Sequence, residues 1–217
     1  MYCMCWNAAV SLNTFAFSTF VLGLIMYNNA YTQYKIEELN NMYVYIFFIS
    51  FISMQLVEFF IWRNIDDPLY NRIFTSIAIL LLLIQPIASN LLITNKRIRN
   101  GILFIYMSCM IPFAIYKFMT KSVNTTISEM GHLKWNALIN YNNTVNKLII
   151  ICWFLFFLFP LFYERKIYGL LFGLITLFII IYNYSNDKTD SSMWCWIANS
   201  VMVYYAIYLL FYLPFLS

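Results

Sequence analysis

The chain has 217 residues, of which 63% are hydrophobic and 10% are charged, and its mean hydropathy is +0.71. Soluble globular domains carry about 25% charged residues, so this composition excludes them and predicts an integral membrane protein. The net charge of +4 is spread over short connections rather than gathered in a tail, which does not support nucleic-acid binding.

Seven segments reach the roughly 17 to 25 apolar residues that a membrane-spanning helix needs. We therefore predict an all-α, polytopic membrane protein, with residues 1–217 forming a single domain and one bundle of seven transmembrane helices. The predicted spans are Trp6–Tyr27, Met42–Trp62, Tyr70–Ile93, Ile98–Phe118, Val145–Tyr163, Ile167–Tyr184 and Met193–Leu213.

Three prolines, Pro86, Pro112 and Pro160, fall inside the third, fourth and fifth spans. Each proline removes a backbone donor and can kink its helix, which opens space between neighbours. We interpret them as packing features.

An odd number of spans places the two termini on opposite sides of the membrane. Lys96, Arg97 and Arg99 lie in a very short loop, where a positive charge favours the cytoplasmic side. The glycosylation sequons at Asn124 and Asn142 lie on the other side. These features predict an outer N-terminus and a cytoplasmic C-terminus.

Residues 119–146 form the single long loop, and it lies on the predicted outer side. Ser128 and Glu129 favour the start of a short helix within it. Its apolar face would consist of Met130, Leu133, Ala137 and Leu138, with Trp135 at the lipid surface. We expect a lid or an interfacial helix.

Glu58 is a carboxylate inside the apolar run of the second span. Because a charge in lipid is costly, its side chain should face other helices, water or a partner. Gln55 lies three residues earlier and therefore shares its helix face. Glu58 is either a structural carboxylate, hydrogen-bonded or paired with Arg63 or Arg72, or a proton carrier, ligand contact or metal ligand.

Polar residues from several spans fall in the predicted outer half of the bundle, beside the loop that carries His132, the only histidine. Taken alone, His132 is typical of a solvated loop residue. Together these residues predict an outward-facing ligand pocket. Its candidate residues are Asn7, Gln55, Glu58, His132, Trp194 and Asn199.

Cys5 and Cys195 map to the outer ends of the first and last spans, which are neighbours in most seven-helix rings. A disulfide between them is one hypothesis, and free thiols are another. A third is a zinc site formed by Cys5, Glu58, His132 and Cys195. We expect no metal and no cofactor as the default.

Four short motifs follow one another along nearly the whole chain: Met4-Cys5-Trp6-Asn7-Ala8, Gln55-Leu56-Val57-Glu58, Gly131-His132 and Trp194-Cys195. They resemble the Met-Cys-aromatic-Ser-Ala, Gln-x-Ile-Glu, Gly-His and Trp-Cys motifs of a family of uncharacterised multi-pass membrane proteins, known only as a domain of unknown function. The chain departs from that pattern at Asn7, which replaces the serine, and at Ala9, which replaces a threonine that follows Ser-Ala in the family. It also lacks a histidine that the family carries in the third span. The resemblance implies which residues belong to a functional site, but it does not imply a particular reaction.

These observations predict a protein that binds or transports a small molecule, a lipid or a proton through the pocket around Glu58, with membrane lipids as its surroundings. One alternative is an intramembrane enzyme, with or without a metal, that uses Glu58 as base and His132 as its partner. A second is a seven-helix receptor or sensor. A retinal photoreceptor is excluded, because residues 193–217 contain no lysine for a Schiff base.

Overall fold

The computed structural model describes residues 7–120, 123–136 and 144–215. Its regular elements in chain order are α1 (Ala8–Tyr31), α2 (Met42–Arg63), α3 (Pro68–Asn90), α4 (Lys96–Thr120), β1 (Thr125–Ile127), β2 (Leu133–Trp135), α5 (Thr144–Tyr163), α6 (Ile167–Tyr184), α7 (Asp190–Ala198) and α8 (Ser200–Ile207). The chain continues from α8 through a π-helical turn, Tyr208–Tyr212, and a 3-10 turn, Leu213–Phe215.

Six helical segments in the described residues are long and apolar enough to cross a membrane. They are α1 to α4, α6, and the continuous segment Asp190–Phe215. The apolar part of α5, Leu148–Tyr163, is shorter. The all-α polytopic membrane fold is confirmed, while a seventh crossing by α5 and the orientation of the termini stay predictions.

Short polar side chains define where three of the helices begin. Asn7 Oδ1 accepts the backbone N–H groups of Ala9 and Val10, and Asn41 Oδ1 accepts one at the start of α2. Asp67 caps α3 in the same way, immediately before Pro68, whose missing N–H costs nothing at a helix start. These side chains thus accept hydrogen bonds from backbone N–H groups that have no partner within the first helical turn.

Helices α2 and α3 lie at the centre of the bundle. Helix α1 packs on α2, α5 packs on α3, and α7 contacts both α2 and α6. Helix α4 contacts chiefly α3. The largest core cluster joins Met54 of α2, Trp153 of α5 and Trp194 of α7 with Leu133 and Trp135 of the β-hairpin. The hairpin is therefore part of the core.

The proline in α3 is compensated from α5. Pro86 cannot donate to the carbonyl of Leu82, four residues earlier. The Trp153 indole Nε1 donates to that carbonyl oxygen at 2.8 Å. The carbonyl that proline leaves without a helical donor thus takes part in a hydrogen bond between α3 and α5. Neighbouring helices often supply such donors where a proline lies inside a membrane helix.

The proline in α5 is compensated from α3 in return. Pro160 leaves the carbonyl of Phe156 without its helical donor. Asn90 Nδ2 donates to that oxygen at 3.0 Å and also to the carbonyl of Pro86 at 2.7 Å. Two hydrogen bonds, one from each helix to the other, therefore link α3 and α5 at their prolines.

Replacing Asn90 with leucine is expected to lower the free energy of unfolding by about 1 kcal/mol, because the carbonyl of Phe156 loses its donor inside the bundle. Denaturation of the purified protein in detergent, followed by circular dichroism, measures this change. The matched control is Asn183→Leu, because Asn183 Nδ2 donates only within its own helix at an exposed position. Equal stabilities for the two variants would show that the hydrogen bond from Asn90 to α5 does not stabilise the bundle.

Within residues 123–136 the expected interfacial helix is wrong, because these residues form an antiparallel β-hairpin in which Ile127 pairs with Leu133. Ser128 and Glu129 lie in the connection between the strands. Two causes act here: β-branched Thr125, Thr126 and Ile127 favour extended backbone, and Gly131 has a φ of 81°. Ala137 and Leu138, the other residues of the expected helix face, lie outside the described residues.

Asn71 fixes the hairpin to the first turns of α3. Its Nδ2 donates to the carbonyls of Ile65 and Thr125, each at 2.9 Å, and its Oδ1 accepts the Thr125 N–H at 2.8 Å. The hydroxyls of Thr75 and Thr125 lie 2.7 Å apart. The hairpin consequently caps one end of the bundle, which we call the hairpin end.

Candidate functional site

Glu58 lies in α2, where its side chain is 3% exposed. Ser192 Oγ of α7 donates to Glu58 Oε1 at 2.6 Å, and Gln55 Nε2 donates to Oε2 at 3.0 Å. Both donors are neutral, and among the described residues neither Arg63 nor Arg72 forms a salt bridge with this carboxylate. The side chain is therefore held by hydrogen bonds inside the bundle, and no basic side chain of the described residues forms a salt bridge with it.

A small cavity adjoins Glu58 beneath the hairpin. Its volume is about 10 Å³, close to the least that a single buried water molecule needs. The residues around it come from α1, α2, β2, α7 and the turn before β2: Ser11, Glu58, Trp62, His132, Leu133, Ser192, Met193 and Trp196. In this geometry the site has room for a water molecule or a proton, and a larger ligand would require the hairpin to move.

His132 contributes an imidazole to the wall of the cavity. Its side chain is 5% exposed, and its ring packs edge-on against Tyr184 of α6, with 5.4 Å between the ring centroids. Burial lowers the pKa of His132, and the nearby carboxylate of Asp187 acts in the opposite direction. His132 is thus a second titratable group beside Glu58.

Acidification is expected to loosen the hairpin. Because the folded protein lowers the pKa of His132, it favours the neutral ring, so the stabilisation is complete above the ordinary pKa of about 6.5 and is lost as the pH falls below it. Hydrogen exchange of the hairpin amides at about pH 7.5 and about pH 5.5 measures this effect. The exchange should accelerate at the lower pH.

The control for this titration is His132→Gln, which keeps a polar side chain and removes the imidazole. Glu58 and Asp187 remain in the variant, so any pH dependence that they cause persists. Loss of the acid-induced acceleration in the variant is expected. An unchanged pH profile would assign the effect to the carboxylates.

A second set of polar side chains lies deeper in the bundle than Glu58. Asn199 Nδ2 donates to the carbonyl of Cys195 at 2.8 Å and approaches that of Phe51 at 3.5 Å. Gln85 Nε2 lies 3.5 Å from the carbonyl oxygen of Ser50. Among the described residues, Gln55 Oε1 and Asn199 Oδ1 are buried acceptors without a hydrogen-bond partner. Such oxygens are ready to accept a donor such as water.

The structure brings some of the predicted pocket residues together and separates others. Glu58 and His132 line the same cavity, and Gln55 contacts Glu58 directly. Asn199 belongs to the deeper polar set. Trp194 packs edge-on against Phe154 and Phe157 of α5, and Asn7 is exposed and caps α1.

Ser192 is a side chain of the candidate site that the sequence interpretation missed. Its signal was present, since Ser192, Cys195 and Asn199 are three and then four residues apart and so share one face of the last span. Ser11 and Trp62 complete the cavity from α1 and α2. Trp62 lies four residues after Glu58, on the same helix face.

The cysteine hypotheses depend partly on residues outside the described part of the chain. Cys195 is fully buried, and it forms no disulfide with either of the other described cysteines, Cys109 and Cys152. Cys5 lies outside the described residues, so the disulfide with Cys195 and the zinc site that includes Glu58 and His132 stay predictions. Within the described residues, no group of three or more His, Cys, Asp or Glu side chains is placed to hold a metal.

Comparison of the chain with sequence families, curated proteins and solved structures gave no match. The resemblance to the uncharacterised membrane family stays a prediction, and the geometry around Glu58 is the basis for assigning a function.

Proposed function

We propose that this multi-pass membrane protein transports protons across the membrane by way of Glu58, which binds and releases a proton between the hairpin end and the interior of the bundle. The observation that carries the proposal is a buried carboxyl group, held by two neutral donors, beside a cavity the size of one water molecule. An ionisable side chain within a membrane span usually marks an ion or proton pathway.

The partners of Glu58 suit a group that changes its protonation state. The Ser192 hydroxyl can rotate, so it can donate to a carboxylate or accept from a carboxylic acid. Gln55 offers an amide N–H to the carboxylate, and its own oxygen is buried without a hydrogen-bond partner among the described residues. His132 adds a second proton acceptor on the cavity wall.

The size of the cavity favours a proton over a small organic molecule. A site for a drug-sized ligand encloses about 300–1,000 Å³, whereas the cavity at Glu58 measures about 10 Å³. With the hairpin docked, water and protons are the species that fit. The hairpin then separates the carboxyl group from the solution at the hairpin end.

Proteoliposomes that contain a pH-sensitive dye test this proposal. A potential imposed with potassium and valinomycin should drive protons through the wild-type protein, and Glu58→Gln should reduce the flux at least about tenfold, which corresponds to 1.4 kcal/mol. Glu129→Gln is the matched control, since Glu129 is an exposed carboxylate on the hairpin. Equal flux through the wild type and both variants, or through protein-free vesicles, would exclude the proposal.

The intramembrane enzyme is a second candidate, because Glu58 and His132 line one cavity, as a base and its partner require. A substrate would enter only if the hairpin lifted away from α3. A fluorescent ester or peptide library screened against the wild type and Glu58→Gln distinguishes the candidates. Turnover that depends on Glu58 in the absence of proton flux would favour the enzyme.

A further inference from the structure

Three connections meet at the end of the bundle opposite the hairpin end, and they join α1 to α2, α3 to α4, and α5 to α6. Glu164 Oε1 accepts hydrogen bonds from the Thr94 N–H at 2.8 Å and from the Thr94 hydroxyl at 3.0 Å. Lys166 Nζ lies 3.9 Å from Glu38 Oε2. These contacts join the three connections into one surface. The surface, which we call the basic end, consists of residues 32–41, 91–99 and 164–166.

Basic side chains outnumber acidic ones at the basic end by six to three. Two of the three carboxylates, those of Glu38 and Glu164, already take part in the contacts between the connections. Among the described residues, four of the basic side chains are exposed and form no salt bridge. They are Lys35, Lys96, Arg97 and Arg165. The basic end therefore presents a positive charge that its own carboxylates do not balance.

Exposed tyrosines place the basic end at the depth of the lipid head groups. Tyr31 ends α1, Tyr163 ends α5, and Tyr168 lies in the first turn of α6. All three side chains are exposed on the surface of the bundle. Tyrosine is enriched where membrane spans meet the head groups. The basic side chains lie within a few residues of these tyrosines, so they are within reach of lipid phosphates.

Arg165 occupies a backbone position that ordinarily favours glycine. Its φ is 55°, and it lies directly after the end of α5. The Lys166 N–H donates to the Leu161 carbonyl at 2.8 Å, the hydrogen bond of a Schellman turn. Glycine adopts this left-handed conformation without the steric cost that other residues have. The turn itself therefore does not require an arginine.

We propose that the basic end binds anionic phospholipids of the adjacent leaflet, with the lipid phosphates at the four exposed basic side chains. The charge selects an anionic lipid over a zwitterionic one, because lysine and arginine at a membrane surface attract anionic lipids. The flanking tyrosines favour a lipid over a soluble anion, since they lie at head-group depth. The sequence predicts that this side is cytoplasmic, and anionic lipids are abundant in that leaflet. This surface is independent of proton exchange at Glu58.

Electron paramagnetic resonance tests the proposal on the full chain in phosphatidylcholine nanodiscs. The probes are spin-labelled phosphatidylglycerol, which is anionic, and spin-labelled phosphatidylcholine with the same acyl chains, which is zwitterionic. The fraction of immobilised label gives the ratio of their association constants with the protein. We expect a preference of at least about tenfold for phosphatidylglycerol, because several basic side chains contribute to it. High salt should remove the preference, since these charges are exposed.

Arg165→Gly is the sharpest variant, because it removes a charge at a position whose backbone favours glycine. It should lower the preference for phosphatidylglycerol about fivefold, which corresponds to about 1 kcal/mol for one basic side chain. Lys188→Gly is the matched control. Lys188 also has a left-handed backbone, with a φ of 59°, but it lies at the hairpin end between α6 and α7. The control should keep the preference of the wild type.

A second variant combines Lys96→Gln with Arg97→Gln and removes two charges at the start of α4. It should lower the preference further than Arg165→Gly does. Both side chains are exposed, so the variant should fold, which circular dichroism verifies.

Three results would overturn the proposal. Equal association of the two lipids with the wild type would mean contact with bulk lipid only. Equal preferences in Arg165→Gly and Lys188→Gly would show that the basic end does not select the lipid. Loss of the preference on addition of inorganic phosphate at constant ionic strength would assign the surface to a soluble anion. Because the readout is lipid association rather than flux, none of these results depends on the behaviour of Glu58.

Discussion

Replacing Asn71 with alanine is expected to release the β-hairpin from the bundle, at a cost of about 2–4 kcal/mol in the free energy of hairpin docking. The Asn71 side chain is 4% exposed and joins the hairpin to α3 through both the N–H and the carbonyl of Thr125. Alanine would leave these two buried groups without partners, and the partly buried carbonyl of Ile65 would lose its donor as well. Unmade hydrogen bonds of buried backbone groups are among the costliest local defects.

Hydrogen exchange of the amides in residues 123–136 measures the loss. A change of 2–4 kcal/mol corresponds to acceleration by about 30- to 1,000-fold, since each 1.4 kcal/mol is a factor of ten. The matched control is Asn124→Ala, because the Asn124 side chain accepts one exposed hydrogen bond, from Asn136 at 3.3 Å. Protection that survives in Asn71→Ala would show that burial of Trp135 alone holds the hairpin.

The helices could be predicted from the sequence because length and hydropathy act locally. The start of α2 at Met42 and the whole of α6, Ile167–Tyr184, lie where the apolar runs placed them. The hairpin could not be predicted in this way, since the Ser128–Glu129 pair is also a helix-start signal. Tertiary contacts from Asn71 and the burial of Trp135 decide between the two structures.

Part of the candidate site was also visible in the sequence. The three-residue spacing of Gln55 and Glu58 predicts that they share one helix face, and the structure joins them by a hydrogen bond. The contact between Glu58 and Ser192 spans 134 residues and depends on how α7 is rotated in the bundle. No local pattern specifies such a rotation. For Asn7 the local pattern fits two roles, because an asparagine before an apolar run can cap a helix or line a pocket.

Replacing Glu58 with glutamine is expected to abolish proton exchange while the protein keeps its fold, with a change of less than about 1 kcal/mol in the free energy of unfolding. The new amide retains an oxygen for the Ser192 hydroxyl. Rotation of the Gln55 amide would turn its unpartnered Oε1 toward the new N–H group, so the buried hydrogen bonds are conserved. The variant therefore removes a titratable proton and little else.

Two measurements on the same samples separate a functional Glu58 from a structural one. Infrared spectroscopy should detect the carbonyl band of a buried carboxylic acid appearing on acidification of the wild type, and this band should be missing in Glu58→Gln. Glu58→Leu should be less stable than Glu58→Gln, because it leaves the Ser192 hydroxyl and the Gln55 amide without an acceptor, at about 1–3 kcal/mol per buried group. If the infrared band persists in Glu58→Gln, another carboxyl group gives rise to it. If that variant also unfolds as readily as Glu58→Leu, Glu58 is a structural carboxylate. If the band disappears and stability is unchanged, the bundle maintains this buried carboxyl group for its proton.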